Sequence, residues 1–224
     1  MKNRNIIYIF FLLLPQYALS QVDKAHGEIS MSAGLMTNQA YDTRLTYQYY
    51  LNKSIGVGAS FGYYKQWYAN PIPQSELHHG EWDYWRLSEK DCKPQNIYLE
   101  PSLSLNSPAI AQVGRWSFKL GVDIGVMFQL PFTLVSVEYI NTTTQKSHQK
   151  NIYTSDMQWF FWDIRPAIRV ENKGGIFVDF GYGLSDFDIY SSYRKIKIQE
   201  KTLNDFYPKK KLNNTFFLKV GGYF

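Results

Sequence analysis

Phe216-Phe217-Leu218-Lys219-Val220-Gly221-Gly222-Tyr223-Phe224 is the stretch on which the fold turns. With the two-residue period of an extended strand, Phe216, Leu218, Val220, Gly222 and Phe224 share one face. Thr215, Phe217, Lys219, Gly221 and Tyr223 share the other. A strand of a closed membrane barrel needs such asymmetry, because one face meets lipid and the other does not. An aromatic at the last position suits the membrane–water boundary, where such rings collect. The competing expectation is a soluble β-sandwich whose final strand stops at Phe224.

Seven segments upstream carry the same alternation. In Gly27 to Met36, Ile29, Met31, Ala33 and Leu35 oppose Glu28, Ser30, Ser32 and Gly34. In Ala40 to Leu51, Tyr41, Thr43, Leu45, Tyr47 and Tyr49 oppose Asp42, Arg44, Thr46 and Gln48. After an Asn52-Lys53 turn, Ile55, Val57, Ala59, Phe61 and Tyr63 oppose Gly56, Gly58, Ser60 and Gly62. In Asn96 to Asn106, Ile97, Leu99, Leu103 and Leu105 oppose Tyr98, Glu100, Ser102 and Ser104. The run from Trp116 to Phe128 sets Phe118, Leu120, Val122, Ile124 and Val126 against Lys119, Gly121, Asp123 and Gly125. Phe160, Trp162, Ile164, Ile168 and Val170 then oppose Asp163, Arg165, Ala167 and Arg169. Ile176, Val178, Phe180, Tyr182 and Leu184 oppose Asp179, Gly181 and Gly183. No segment competes with a helical period.

The connections sort by length. Asn52-Lys53, Ser107 to Arg115 and Asn172 to Gly175 are short or modest; Tyr68 to Gln95, Leu130 to Asp156 and Asp186 to Leu212 are long and polar. They alternate along the chain, with one brief exception near Thr37 to Gln39. Short turns at one rim and long loops at the other are the habit of outer-membrane barrels. The expected fold is all-β: an eight-stranded antiparallel up-and-down transmembrane β-barrel with short periplasmic turns and long extracellular loops.

At the other end, Lys2 and Arg4 precede the apolar run Ile6 to Leu14, then Ala18-Leu19-Ser20. This reads as a signal peptide over residues 1–20, cleaved before Gln21 and leaving 21–224 as the barrel domain. The run is too short for a membrane helix, which needs roughly 20 apolar residues. Formal charge is +5, and +3 once Lys2 and Arg4 leave, too mild for a nucleic-acid partner. The negative mean hydropathy does not exclude a barrel, since only alternate residues face lipid. Cys92 is the single cysteine, so no internal disulfide is expected.

The chain resembles the small eight-stranded outer-membrane barrels of Gram-negative bacteria, and its Tyr-rich style is similar to the Bacteroidota barrels that include the PorT-like group. The resemblance spans Gln21 to Phe224. Lys219, Gly221 and Phe224 match the polar-x-Gly-x-x-aromatic part of the signal read by the barrel-assembly machinery. It implies the cell outer membrane, with lipid and lipopolysaccharide as surroundings, but no activity.

An apolar face turned to lipid sends the other face inward. Glu28, Asp42, Glu100, Asp123, Asp163 and Asp179 would then meet Arg44, Lys119, Arg165, Arg169 and Lys219, six acids against five bases. Eight strands leave an interior just wide enough for side chains, and buried charges persist only when paired. A charge-paired plug is expected, with a narrow porin-like diffusion channel as alternative. The inward glycines Gly56, Gly58, Gly62, Gly121, Gly125, Gly181 and Gly183 either favour the channel by leaving room or serve strand curvature and make space for long Arg side chains.

In the loops, Trp82, Tyr84 and Trp85 suggest a glycan or protein contact, or an anchor on lipid headgroups. Lys209, Lys210 and Lys211 suggest phosphate contacts on lipopolysaccharide. Thr133 to Ile140 alternates toward an Asn141-Thr142-Thr143-Thr144 tip, a hairpin whose edge could take a protein partner; Tyr190 to Gln199 has similar character. The imidazoles His26, His78, His79 and His148 have neither metal-ligand spacing nor a Ser or acid at a useful interval. The expected function is non-enzymatic and free of cofactor: a structural, adhesive or partner-binding barrel, or an accessory subunit of a secretion or assembly complex.

Overall fold

Eight long antiparallel strands carry the alternation into space: β1 (His26–Met36), β2 (Ala40–Tyr50), β3 (Ile55–Gln66), β4 (Gln95–Asn106), β5 (Trp116–Gln129), β6 (Phe160–Asn172), β7 (Ile176–Ser185) and β8 (Asn213–Tyr223). They belong to a computed structural model that describes residues 26–67, 71–78, 80–130, 133–207, 209 and 211–224. The expected signal segment, His79 and Lys210 lie outside the described residues. Each strand pairs with its sequence neighbour, and β8 returns to pair with β1 from Glu28↔Tyr223 to Met36↔Thr215. The eight strands therefore close on themselves as an antiparallel barrel, and the three-residue strand Ala111–Val113 pairs onto the start of β5 outside that ring.

Closure is completed at both ends of the seam. Gly27 and Phe224 exchange backbone hydrogen bonds at 3.0 Å in each direction, and Thr37 N–H donates to the Asn214 carbonyl at 2.9 Å. The Phe224 ring lies across Gly27, where any Cβ would fall 2.6 Å from the ring. Terminal ring and glycine thus lock the last strand onto the first.

The outward set is apolar and uncovered. Met31, Leu35, Phe180 and Phe216 are among many large side chains left exposed around the wall. Tyr47, Tyr49, Trp116 and Phe224 stand toward the short-turn rim; Trp67, Phe160 and Phe216 stand toward the long-loop rim. Lys65, near the long-loop rim, is the one charged residue with outward parity on the eight strands.

The long connections differ from the polar loops read in the sequence. They fold into a cap with its own apolar core. Gln74–Glu76 and Tyr84–Leu87 from the first long loop join Thr133–Asn141 and Lys146–Thr154 from the second in a four-stranded antiparallel sheet. Residues 133–154 form the expected hairpin, with Gln145 at φ 55° completing its tip. Trp85, Leu87, Val135 and Val137 face inward and meet Phe187, Ile189, Ile196 and Leu203 of the third long loop. This core continues down into the barrel mouth through Tyr64, Tyr98, Met127 and Phe161.

Tyr190 to Gln199 departs from the strand-like reading. It holds a 3₁₀ turn, Tyr193–Lys195, and a two-residue ladder of Lys197–Ile198 with Lys201–Thr202. Tyr190, Tyr193 and Ile196 recur every third residue and all three are buried, the spacing of a tight helical turn.

Candidate functional site

The barrel interior holds two layers of buried ion pairs. Nearer the cap, β2 supplies Asp42 and Arg44, β4 Glu100, and β6 Asp163 and Arg165. Arg44 Nε donates to Asp42 Oδ2 at 2.9 Å, and its Nη1 reaches Asp163 Oδ2 at 2.9 Å and also Glu100. Arg165 bridges Asp42 at 2.6 Å and Asp163 at 2.7 Å. The Tyr98 hydroxyl donates to the other oxygen of Asp42.

The second layer lies toward the short-turn rim. Arg169 forks onto Asp179 at 2.8 and 2.9 Å and donates to Glu28 at 2.8 Å. Lys219 bridges Asp123 at 2.9 Å and Asp179 at 3.1 Å. Gln48 joins Asp123 at 3.3 Å and passes the network to Tyr50, which meets Ser104 and Asn106. At the rim itself Lys119 pairs with Glu171, which also accepts from Ser117 at 3.1 Å and from Tyr223.

The inward glycines are seats for rings. At Gly62 a Cβ would fall 2.1 Å from the Tyr98 ring, at Gly181 2.2 Å from Phe217, and at Gly221 2.3 Å from Phe177. Each ring in turn carries a guanidinium: Arg44 stands 5.2 Å from the Tyr98 centroid, Arg165 5.1 Å from Phe217 and Arg169 3.8 Å from Phe177. Cation and ring attract at such distances, more so away from water. Gly58 takes the Gln48 side chain and Gly125 that of Glu100 in the same way. Of the two readings of these glycines, open room does not hold: neighbouring side chains occupy the space. Between the two layers a space of about 20 Å³ remains, lined by residues including Thr46, Gln48, Ser60, Glu100 and Asp123.

Glu171 was missed in the lumen set, although it shares the parity of Arg165 and Arg169. The ring seats were missed for another reason. Alternation says that Gly181 and Phe217 point inward but not that they meet, which the β7–β8 register decides through Gly181↔Phe217.

Among the loop candidates, Trp85 is corrected. It is 1 % exposed in the cap core and can touch neither glycan nor headgroup. Trp82 is half-buried and stacks on His148 at 6.0 Å; Tyr84 is half-buried on the outer side of the cap sheet. Lys209 and Lys211 are exposed. Lys219, Gly221 and Phe224, read as an assembly signal, each also serve the folded barrel: an ion-pair bridge, the seat of Phe177 and the ring over Gly27. Among the described residues no His, Cys, Asp or Glu group is disposed to hold a metal.

Asp83 and Cys92 are among the cap residues with shifted titration. Asp83 accepts the Thr142 N–H at 2.7 Å and the Thr142 hydroxyl, and these bonds hold its carboxyl below the ordinary range. Burial raises the thiol pKa of Cys92, whose backbone carbonyl accepts the Tyr207 hydroxyl at 3.1 Å.

No protein-family model matches the chain, and no curated protein does. Among solved structures it is similar to neisserial surface protein A, at 8% identity and a TM-score of 0.44 over 90% of this chain and 100% of that one. A major outer membrane protein from Thermus thermophilus gives 9% identity and 0.47 over 90% and 100%. A de novo designed transmembrane β-barrel gives 8% and 0.42 over 91% and 99%.

Proposed function

We propose that the chain is a non-conducting, non-enzymatic barrel of a bacterial outer membrane that meets structural or adhesive partners through its cap. The observation that carries this reading is the filled interior: two ion-pair layers with about 20 Å³ between them, beneath an apolar cap core. A cavity of that size holds about one water, whereas a pore needs a continuous aqueous path. Placement in a membrane is supported by the uncovered apolar wall and by strands of 10 to 14 residues, against about 9–11 needed to cross. In water such a wall would be a very large exposed apolar patch.

The three described imidazoles support a non-enzymatic role. His26 stacks on Tyr50 at 5.0 Å and lies edge-on to Tyr223, His148 stacks on Trp82, and His78 is exposed. Lys209 and Lys211 are available for phosphate groups of lipopolysaccharide, and the barrel-assembly machinery would read the last strand during insertion. Planar-bilayer recording on the refolded chain tests the main claim. A flat baseline under applied voltage is expected; reproducible single-channel steps would replace this reading with the diffusion channel.

A further inference from the structure

The two edges of the cap sheet are finished in opposite ways. At one edge, Gln74–Glu76 is three residues long and follows Pro71 and Pro73. Lys201 Nζ bonds Ser75 Oγ there at 2.5 Å, which brings the Lys197–Thr202 hairpin against that strand. Shortness, proline and a covering element all keep an edge from pairing. Among the described residues the opposite edge has none of them. Lys146–Thr154 runs nine residues, pairs without interruption to Thr133–Asn141, contains no proline, and has no strand on its far side among the described residues. Alternate backbone N–H and C=O groups along it face outward. The side chains from Lys146 to Asn151 are all exposed.

The charge on this edge has one sign. Lys146, His148 and Lys150 occupy alternate positions and so share a face, and the strand has no Asp or Glu. Their cross-strand partners are Asn141, Tyr139 and Val137, none of them acidic. Charged edges resist self-association, and these lysines are this edge's one deterrent. They deter another copy of the chain, because antiparallel self-pairing sets basic residues against each other on one face. They do not deter an acidic strand.

We propose that Lys146–Thr154 receives an extended acidic segment of a partner protein as a fifth strand of the cap sheet. Its carboxylates, at alternate positions, stand opposite Lys146, His148 and Lys150. The backbone ladder supplies affinity, and the charge alternation sets the register. This inference rests on the reading of the cap as a partner-binding surface and names the chemistry of the partner.

The test uses the full chain refolded in nanodiscs and a fluorescent peptide of alternating glutamate and threonine matching the edge in length. Fluorescence polarisation is expected to show saturable binding. The double variant Lys146→Glu/Lys150→Glu, with folding checked by heat-modifiable gel mobility, should weaken binding about tenfold or more. Lysine in place of glutamate in the peptide should do the same. Backbone N-methylation at two adjacent central residues should abolish binding without changing charge, because one of any two neighbouring N–H groups in a strand points at the edge and is a ladder donor. Equal binding of the N-methylated peptide would overturn strand addition, and absence of saturation up to about 1 mM would overturn the proposal outright. The non-conducting reading stands or falls separately on the bilayer recordings, so the two failures are distinguishable.

Discussion

Gly181 and Arg169 show how single residues hold the interior together. A Cβ at Gly181 would fall 2.2 Å from Phe217 and 2.7 Å from the Pro166 carbonyl. The ring could swing aside, but the backbone oxygen could not. Gly181→Val is therefore expected to destabilise by about 1–3 kcal/mol, the usual range for overpacking, read as a lower urea midpoint in detergent micelles. Arg169→Met removes the guanidinium shared by Glu28 and Asp179, both almost fully enclosed. Leaving buried Glu28 without its partner, and Asp179 with Lys219 alone, should cost about 3–5 kcal/mol. Lys119→Met is the internal control, because the Lys119–Glu171 pair is partly exposed at the rim and should contribute no more than about 1 kcal/mol. A similar loss in both variants would refute the layered account.

Asp83 gives a pH dependence at the same scale. Its carboxyl is depressed by the two bonds from Thr142. A depressed acid contributes stability that is fully present above its unfolded pKa and fades as pH falls through the folded value. The Thr142 amide resonance should therefore titrate below the ordinary carboxylate range, loosening the hairpin tip only in acid. Asp83→Asn should abolish that titration.

At the scale of elements, the cap is a second folded unit standing on the first. Its strands draw on two separate long loops, and the third loop fills the space beneath them. Trp85 is the largest of its fully buried side chains. Trp85→Ala should cost about 3–5 kcal/mol by cavity formation. The loss should fall on the cap alone, because the barrel ladder closes without it. Cys92 reports the difference. Buried and with a raised thiol pKa, it should resist thiol reagents in the native chain and react readily in Trp85→Ala while gel mobility still reports a closed barrel. Simultaneous loss of both signals would mean that cap and barrel are one cooperative unit.

For the whole molecule, an apolar outer wall and a charged interior meet in one chain. The wall leaves Met31, Leu35 and Phe216 uncovered, while the lumen pairs its charges and the cap packs like a small soluble domain. The cap and the charge-paired lumen make separate demands on sequence. The lumen needs charges matched across strands that are remote in the chain, as Arg169 meets Glu28. The cap needs apolar residues inside stretches that look polar on average. A partner strand at Lys146–Thr154 would dock on the second of these units without disturbing the first.

Read along the chain, the residues alone were enough to set the number of barrel strands, their inward and outward faces and the alternation of long and short connections. Each of these follows from the two-residue period or from where that period stops. They also named most of the charged lumen residues, because charge on an inward face needs only parity to be read; Glu171 had the parity and was overlooked. Folding in three dimensions settled which acid meets which base, which glycine seats which ring, and that the long loops share one core. Those facts depend on register across the ladder and on packing between loops far apart in the chain. A side chain's face follows from its own neighbours, but its partner follows from how the cylinder closes.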